Sequence, residues 1–281
     1  MTTLSDLYVV IVVYKVAYQE CSSFISILNS LQNTKGKLNL LIYDNSPLSN
    51  NEKYTGNINL TYIHNNLNPG VSKAYNTGAE IANKINCKYL LFLDQDSRFD
   101  SGFLRTVIRT LNISTGKKMF APFVIQRNSD VLLSPSKYKN FRGSIMELPD
   151  SAKQLSLTGH SIINSGMVIN IDLFNQVGGF NEKINLDFSD HEFVCRVSKK
   201  IGVISIIPTK IYHSLSSMEA VDLKSSLFRF NSYIEGGRIF AENIGRKPLF
   251  YYTAFGRCAL LTIRTKSFAF SKLLIRSLFK W

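Results

Sequence analysis

The sequence predicts an α/β fold: a mostly parallel, doubly wound central sheet flanked by helices, followed by a basic helical extension at the C-terminal end. Three observations carry that prediction. Strand-like apolar runs alternate with helix-spaced segments through the first half of the chain, an order that implies parallel strands joined by helical crossovers. The run Tyr89-Leu90-Leu91-Phe92-Leu93 is apolar on both parities, as a central strand covered on both faces must be. From Ser225 to Trp281 the spacing is helical, with aromatic residues interleaved with Lys and Arg.

Taken in order, Tyr8 to Val13 is a β-branched run and reads as the first buried strand. Phe24, Ile27, Leu28 and Leu31 then lie on one helical face, ended by Lys35-Gly36-Lys37. Leu38 to Tyr43 is the second strand and stops at the turn cluster Asp44-Asn45-Ser46-Pro47. Leu60 to His64 is a third strand, Asn65 to Gly70 a loop, and Val71 to Ile85 a helix. The strand at Tyr89 follows, then a helix over Gly102 to Leu111 and a strand over Met119 to Ile125. Periodicity fades between Gln126 and Leu157, where an irregular excursion is expected. Leu157 to Ile171 resumes strand character and Gly178-Gly179 marks a turn. Asp190 to Lys200 reads as a helix, with Phe193, Val194 and Val197 on one side. Ile201 to Pro208 is a further strand, followed by Ile211-Tyr212-His213.

Bulk properties narrow the function classes. The chain has 281 residues, 45% hydrophobic and 19% charged, as in a folded globular protein. Cys21, Cys87, Cys195 and Cys258 are scattered without CxxC pairing, which suits a reducing compartment and argues against a zinc site or a disulfide scaffold. No secretory leader is expected from the polar Met1 to Asp6, and no run has the length of a transmembrane helix. The net charge of +13 implies an anionic partner. Much of it collects at the end: no acidic residue follows Glu242, whereas Arg246, Lys247, Arg257, Arg264, Lys266, Lys272, Arg276 and Lys280 do. Basic amphipathic helices rich in aromatics commonly lie in a membrane interface; the competing expectation is a helix packed on the main domain with a solvated basic face. A basic nucleic-acid-binding protein is the rival of another class, but no recognised nucleic-acid motif is present.

The chemistry centres on Asp94-Gln95-Asp96, at the C-terminal end of the Tyr89 strand. In open α/β sheets that edge is where ligands bind. Two carboxylates there repel unless a cation or donor groups sit between them. Hard oxygen ligands suit Mg²⁺ or Mn²⁺, which would carry a diphosphate; a solvated turn with an Asp helix cap is the plainer alternative. Other chemistry-bearing pieces fall at element ends too: Asp44-Asn45, Asn68-Pro69-Gly70 with Asn76-x-Gly78, Ser165-Gly166, Gly178-Gly179-Phe180-Asn181-Glu182, Asp187-Phe188-Ser189-Asp190-His191-Glu192, and His213.

With those pieces in place, residues 8 to 213 resemble a family 2 glycosyltransferase of the GT-A type, a Rossmann-like sheet fold. Leu93-Asp94-Gln95-Asp96-Ser97 is the specific part, similar to the branch of bacterial polysaccharide and O-antigen rhamnosyltransferases. The acidic helix opening departs from that branch in having Phe193 where it usually carries Trp. The resemblance implies residues 1–224 as the transferase domain, with a nucleotide-binding half over about 1–100 and an acceptor half over about 101–224, and residues 225–281 as a basic amphipathic tail. It implies Asp44 as the carboxylate that reads the pyrimidine edge, Asn68, Gly70 and Asn76 as parts of the nucleotide pocket, and Asp94 as a nucleotide-sugar ligand. Asp96 and His213 are implied as ligands of Mg²⁺ or Mn²⁺, and Asp190 as the general base, with Asp187 and Glu192 competing for that role. His64, His160 and His191 are expected to be structural. The expected activity is inverting transfer of L-rhamnose from dTDP-β-L-rhamnose to a lipid-linked oligosaccharide. It would take place in cell-surface polysaccharide (O-antigen, lipopolysaccharide) synthesis, on the cytoplasmic face of a bacterial membrane, with the anionic surface holding the tail as a peripheral protein. A UDP-hexose or UDP-galactofuranose transferase of the same fold is the nearer alternative, and no specific nucleic acid is expected as a partner.

Overall fold

The computed structural model describes residues 1–32, 34–49, 54, 56–213 and 222–279. Its N-terminal half alternates strands and helices: β1 (Leu7–Val13), α1 (Ser22–Leu31), β2 (Leu38–Asp44), β3 (Ile58–His64), α2 (Val71–Lys84), β4 (Tyr89–Asp94), α3 (Phe103–Ile113) and β5 (Met119–Gln126). Short strands follow: β6 (Leu132–Ser134), β7 (Ser136–Lys139), β8 (Arg142–Ser144), β9 (Gln154–Ser156), β10 (His160–Ser161) and β11 (Val168–Asn170). Then come α4 (Ile171–Gln176), α5 (Ser189–Ser198), β12 (Val203–His213), α6 (Leu223–Asn243), α7 (Lys247–Thr265) and α8 (Ala269–Leu278).

Among the described residues the main sheet has nine strands, in the order β3-β2-β1-β4-β11-β5-β12-β9, with β6 pairing β5. Strands β3, β2, β1 and β4 are mutually parallel, as are β5 and β12, while β11 runs antiparallel between β4 and β5. The mostly parallel sheet with helices on both faces agrees with the sequence reading. Every residue of β1 is buried, and the strand's two parities feed two different cores. Tyr8, Val10 and Val12 face one with Ala74, Tyr75 and Phe92; Leu7, Val9, Ile11 and Val13 face the other with Phe24, Ile27 and Phe103. This is the physical content of an apolar run on both parities. Phe92 is fully buried, and truncating it to alanine would cost about 3–5 kcal/mol.

Two expectations are corrected. The stretch from Gln126 to Leu157 is irregular only in part: residues 145–153 have no helix or strand, but it also supplies β6 to β9, and β7, β8 and β10 form a small sheet of their own. Ile201 to Pro208 and Ile211 to His213 are one strand, β12, with a bulge between Ile206 and Lys210. The helical extension also has a buried side. Phe230, Phe250 and Phe270 pack with Phe141, Ile184 and Phe188 in a third core. Gly237 permits that contact, since a Cβ there would lie 2.1 Å from Phe250 Cε2 and 2.8 Å from Phe188 Cε2. The opposite side stays exposed, including Tyr252, Phe255, Leu260, Ile263, Phe268 and Phe279.

Candidate active site

The parallel strands deliver their carboxylates to one edge. Asp44 and Asp94 end β2 and β4 and lie in register with Val13 and Val12 of the strand between them. His213 ends β12 and pairs with Gln126 at the end of β5. Antiparallel β11, entered through the Ser165-Gly166 turn, brings a serine under the same edge.

Asp94 is held on three sides. Its Oδ1 accepts from the Tyr75 hydroxyl at 3.2 Å, its Oδ2 accepts from Ser165 Oγ, and its backbone oxygen accepts from Ser23 Oγ. Burial pushes the Tyr75 phenol well above its ordinary range, reinforced by the Asp94 charge, so Tyr75 remains a donor. The Ser165-Gly166 turn fits because position 166 carries no side chain: it has φ +82°, and a Cβ would lie 2.4 Å from Ile211 Cδ1. His213 Nδ1 lies 3.4 Å from Ser165 Oγ and 3.2 Å from Asp96 Oδ1. Asp96, His213, Ser165, Asp94 and Tyr75 therefore form one connected polar chain.

Two cavities meet at Asp94. The first, of about 450 Å³, is bordered by Asn45, Asn68, Gly70, Asp94, Lys183 and Asn231 among others. The second, of about 460 Å³, is bordered by Asp94, Asp190, His191, His213, Arg229 and Arg257 among others. Helix α6 serves both: Phe228, Asn231 and Ser232 line the first, Arg229 and Tyr233 the second.

The residues singled out in the sequence are distributed between them. Asn68 (φ +48°) and Gly70 (φ +93°) shape the loop into α2. Glycine is needed at 70 because a Cβ would lie 2.2 Å from the Asn185 carbonyl oxygen, which also accepts from Val71 N at 2.9 Å. Asp44 is buried beside the first cavity; Oδ1 accepts from Ser46 N at 2.8 Å and Oδ2 from the Tyr62 hydroxyl at 2.5 Å. Asn45 does border the cavity, and its buried Oδ1 has no hydrogen-bond partner among the described residues. Asn76 does not border it: its amide is taken up by Phe180, whose N and O it binds at 2.8 and 2.9 Å, and by Glu182 at 3.0 Å. It braces the Gly178-Gly179 turn against α2.

Asp190 stands in the first turn of α5, with 18% of its side chain exposed. Its Oδ1 accepts from His191 N at 2.7 Å. Glu192 is otherwise engaged: its side chain is 3% exposed and held by Arg196 through Nε and Nη2, both at 2.8 Å, a two-pronged pair that fixes α5. Burial lifts the Asp187 carboxyl above its ordinary value although Arg257 and Arg229 pull it down, and its Oδ2 is enclosed without a hydrogen-bond partner among the described residues. Phe188, which opens α5, is left-handed at φ 71°; Tyr233 and Phe250 close around its ring at centroid distances of 5.1 and 6.0 Å. The extension thus contributes Arg229, Tyr233 and Arg257 to the cleft, which its helical pattern alone did not reveal. The Arg257 guanidinium lies 4.1 Å from the Tyr233 ring centre, an orienting cation–π contact.

Asp96 and His213 suit a divalent cation. A carboxylate and an imidazole 3.2 Å apart are donors that Mn²⁺ or Mg²⁺ accepts, with phosphate oxygens and water completing the shell. Among the described residues no cluster of three or more His, Cys, Asp or Glu side chains has metal-binding geometry.

Comparison with known proteins agrees with this architecture. Residues 9–178 match the family profile described as Glycosyl transferase family 2. The chain is 26% identical over 258 residues to the low-salt glycan biosynthesis hexosyltransferase Agl10 of Haloferax volcanii, covering 87% of this chain and 80% of that protein. It is 24% identical over 149 residues to the dTDP-rhamnosyl transferase RfbF of Shigella flexneri, covering 53% of this chain and 50% of the relative. Among solved structures, S. aureus TarS 1–349 in complex with UDP superposes with TM-score 0.55 at 14% identity, covering 93% of this chain and 92% of that one. GalNAc-T7 with UDP, GalNAc and Mn²⁺ superposes with TM-score 0.56 at 12% identity, covering 88% and 56%. These likenesses establish the GT-A fold.

Proposed function

The chain belongs to glycosyl transferase family 2, and on that premise we propose that it is a metal-dependent, inverting transferase moving L-rhamnose from dTDP-β-L-rhamnose to a lipid-linked oligosaccharide. The observation that carries the reading is the meeting of two cavities at Asp94, with Asp190 and His213 bordering the second. The first cavity takes the nucleotide: Asn68 and Gly70 border it, Asp44 and Asn45 end the strand beside it, and a pyrimidine N3–H needs an acceptor of their kind. The second takes the acceptor. Asp190 removes the proton of the acceptor hydroxyl as its oxygen attacks the anomeric carbon. The bond to the donor's diphosphate oxygen breaks with its electron pair, and attack from the opposite face converts the β-linked donor into an α-linked product. Mg²⁺ or Mn²⁺, when bound at Asp96 and His213, supplies charge stabilisation to the leaving diphosphate. Tyr75 and Ser165 hold Asp94 in one orientation throughout.

The rhamnose assignment is supported by the likeness to RfbF and by the Asp94-Gln95-Asp96 pattern. A UDP-sugar donor is the second reading, favoured by the longer match to a hexosyltransferase and by a structural neighbour solved in complex with UDP-GlcNAc. Peripheral attachment to an anionic membrane is supported by the exposed Ile263 and Phe268 beside Arg264 and Lys266. Among the described residues no helix is long and apolar enough to cross a membrane. Incubation with dTDP-rhamnose, UDP-galactofuranose, UDP-glucose and UDP-N-acetylglucosamine, with Mn²⁺ or with chelator, tests the donor. Metal-dependent turnover of dTDP-rhamnose alone is expected; turnover of a UDP-sugar instead would discard rhamnose.

A further inference from the structure

A third cavity, of about 640 Å³, adjoins the second. The two share Tyr138, Phe141 and His191 along their common border. Contacts hold that border in place. The Tyr138 and His191 rings stack at 4.2 Å between centroids, and His191 Nδ1 is 2.7 Å from Ser161 Oγ. Asp190 immediately precedes His191, so the cavity begins one residue from the proposed base.

The chemistry of the lining is one-sided. Lys139, Lys199 and Arg246 border it, and no Asp or Glu does. None of the three cations forms an ion pair among the described residues. Lys199 and Arg246 come from different elements, the end of α5 and the start of α7, yet both border the cavity together with Cys195. Three like charges around one hollow raise its potential, and an anion entering it would lower the repulsion. Below them the walls are apolar: Leu157, Val194 and Phe240 are almost completely buried.

We propose that this cavity is a subsite for a phosphate-bearing acceptor, holding the phosphate that joins the acceptor sugar to its carrier while the sugar reaches past Tyr138 and His191 to Asp190. The proposal rests on the reading of the second cavity as the acceptor site. It assigns Lys139, Lys199 and Arg246 to acceptor affinity and gives them no part in donor binding.

Cys195 offers a readout independent of turnover, because it borders the cavity and is partly exposed whereas Cys21, Cys87 and Cys258 are buried. The test is the rate of Cys195 alkylation by a maleimide with farnesyl diphosphate, farnesol or inorganic pyrophosphate present. Farnesyl diphosphate should slow alkylation at least tenfold, and Lys199→Glu with Arg246→Glu should abolish that protection. Equal protection by farnesol, protection that survives charge reversal, or no protection would overturn the proposal. Equal protection by pyrophosphate would assign the site to a free anion and overturn the acceptor assignment. In turnover, the double variant should raise KM for a short-chain prenyl-diphosphate-linked sugar at least tenfold and leave donor KM unchanged. KM for the phosphate-free alkyl glycoside of the same sugar should not move; an equal rise for both acceptors would contradict the assignment. If the wild-type protein turns over no nucleotide sugar, the transferase reading fails, and the alkylation result still decides the cavity.

Discussion

Replacing Gly236 by alanine should slow transfer about 100-fold while the protein stays folded. A Cβ at Gly236 would stand 2.3 Å from the Asp187 carbonyl oxygen. Carbon–oxygen contacts settle near 3.3–3.6 Å, so helix and loop must part by about 1 Å. The loop has little freedom outward: Phe188, next in the chain, is already left-handed and is enclosed by Tyr233, Phe240 and Phe250. The displacement therefore passes into the first turn of α5, where Asp190 stands. A misplacement of about 1 Å can cost about 10²-fold in rate. Stability should change less. Alanine gains up to ~1 kcal/mol over glycine in a helix interior, and overpacking costs about 1–3 kcal/mol, leaving a net loss below about 2 kcal/mol. The assay is steady-state kcat, with donor affinity by calorimetry because Gly236 also borders the first cavity, and a thermal melt. Gly202→Ala, with nothing within 4 Å of the added carbon, is the control and should behave as wild type. An unchanged kcat in Gly236→Ala with a normal melt would refute the idea that the extension holds Asp190 in place.

Other outcomes follow from the same geometry. His213→Ala should raise the Mn²⁺ concentration for half-maximal turnover at least ~10-fold; an unchanged metal titration would remove His213 from the metal site. Arg257→Ala should lower kcat/KM, since it strips a cation from the cleft and unpins Tyr233; unaltered kinetics would make it a surface residue. Asp187 has a folded-state pKa raised above its ordinary 3.8. The folded state therefore keeps a proton that the unfolded chain releases, and the stability associated with that group falls as pH rises from about 3.8 through the raised value. Denaturant midpoints of Asp187→Asn should lose that part of the pH dependence, and parallel curves for variant and wild type would contradict it. Ile263→Asp with Phe268→Asp should reduce sedimentation with phosphatidylglycerol vesicles without altering the melt, because both side chains are exposed; full retention would end the membrane reading.

How much was legible in the sequence follows from the range of each interaction. The parallel half could be read because its strands are continuous apolar runs and its helices bury one face; both signals are local. Asp94 and Asp96 stood out because a strand edge in such a sheet is a site by construction. The small sheet β7, β8 and β10 escaped because strands of two to four residues carry no measurable period. Ser165 was noticed but its role was not: its bond to Asp94 spans 71 positions. The family resemblance implied Asn76 as a pocket residue, yet its partner is Phe180, 104 positions away. The extension was read from its composition, which describes the outer face. Its inner face, with Gly236, Gly237, Arg229 and Arg257, becomes meaningful only once it is packed against Asp187 and Phe188.

The most direct test of the central claim is the turnover number of Asp190→Asn at saturating donor, metal and acceptor. The substitution keeps size and shape and removes the proton acceptor. The account predicts a fall of about 10²–10⁴-fold, with donor affinity unchanged. Turnover within a few-fold of wild type would mean that Asp190 does not accept the proton, and the assignment of this cleft would have to be abandoned.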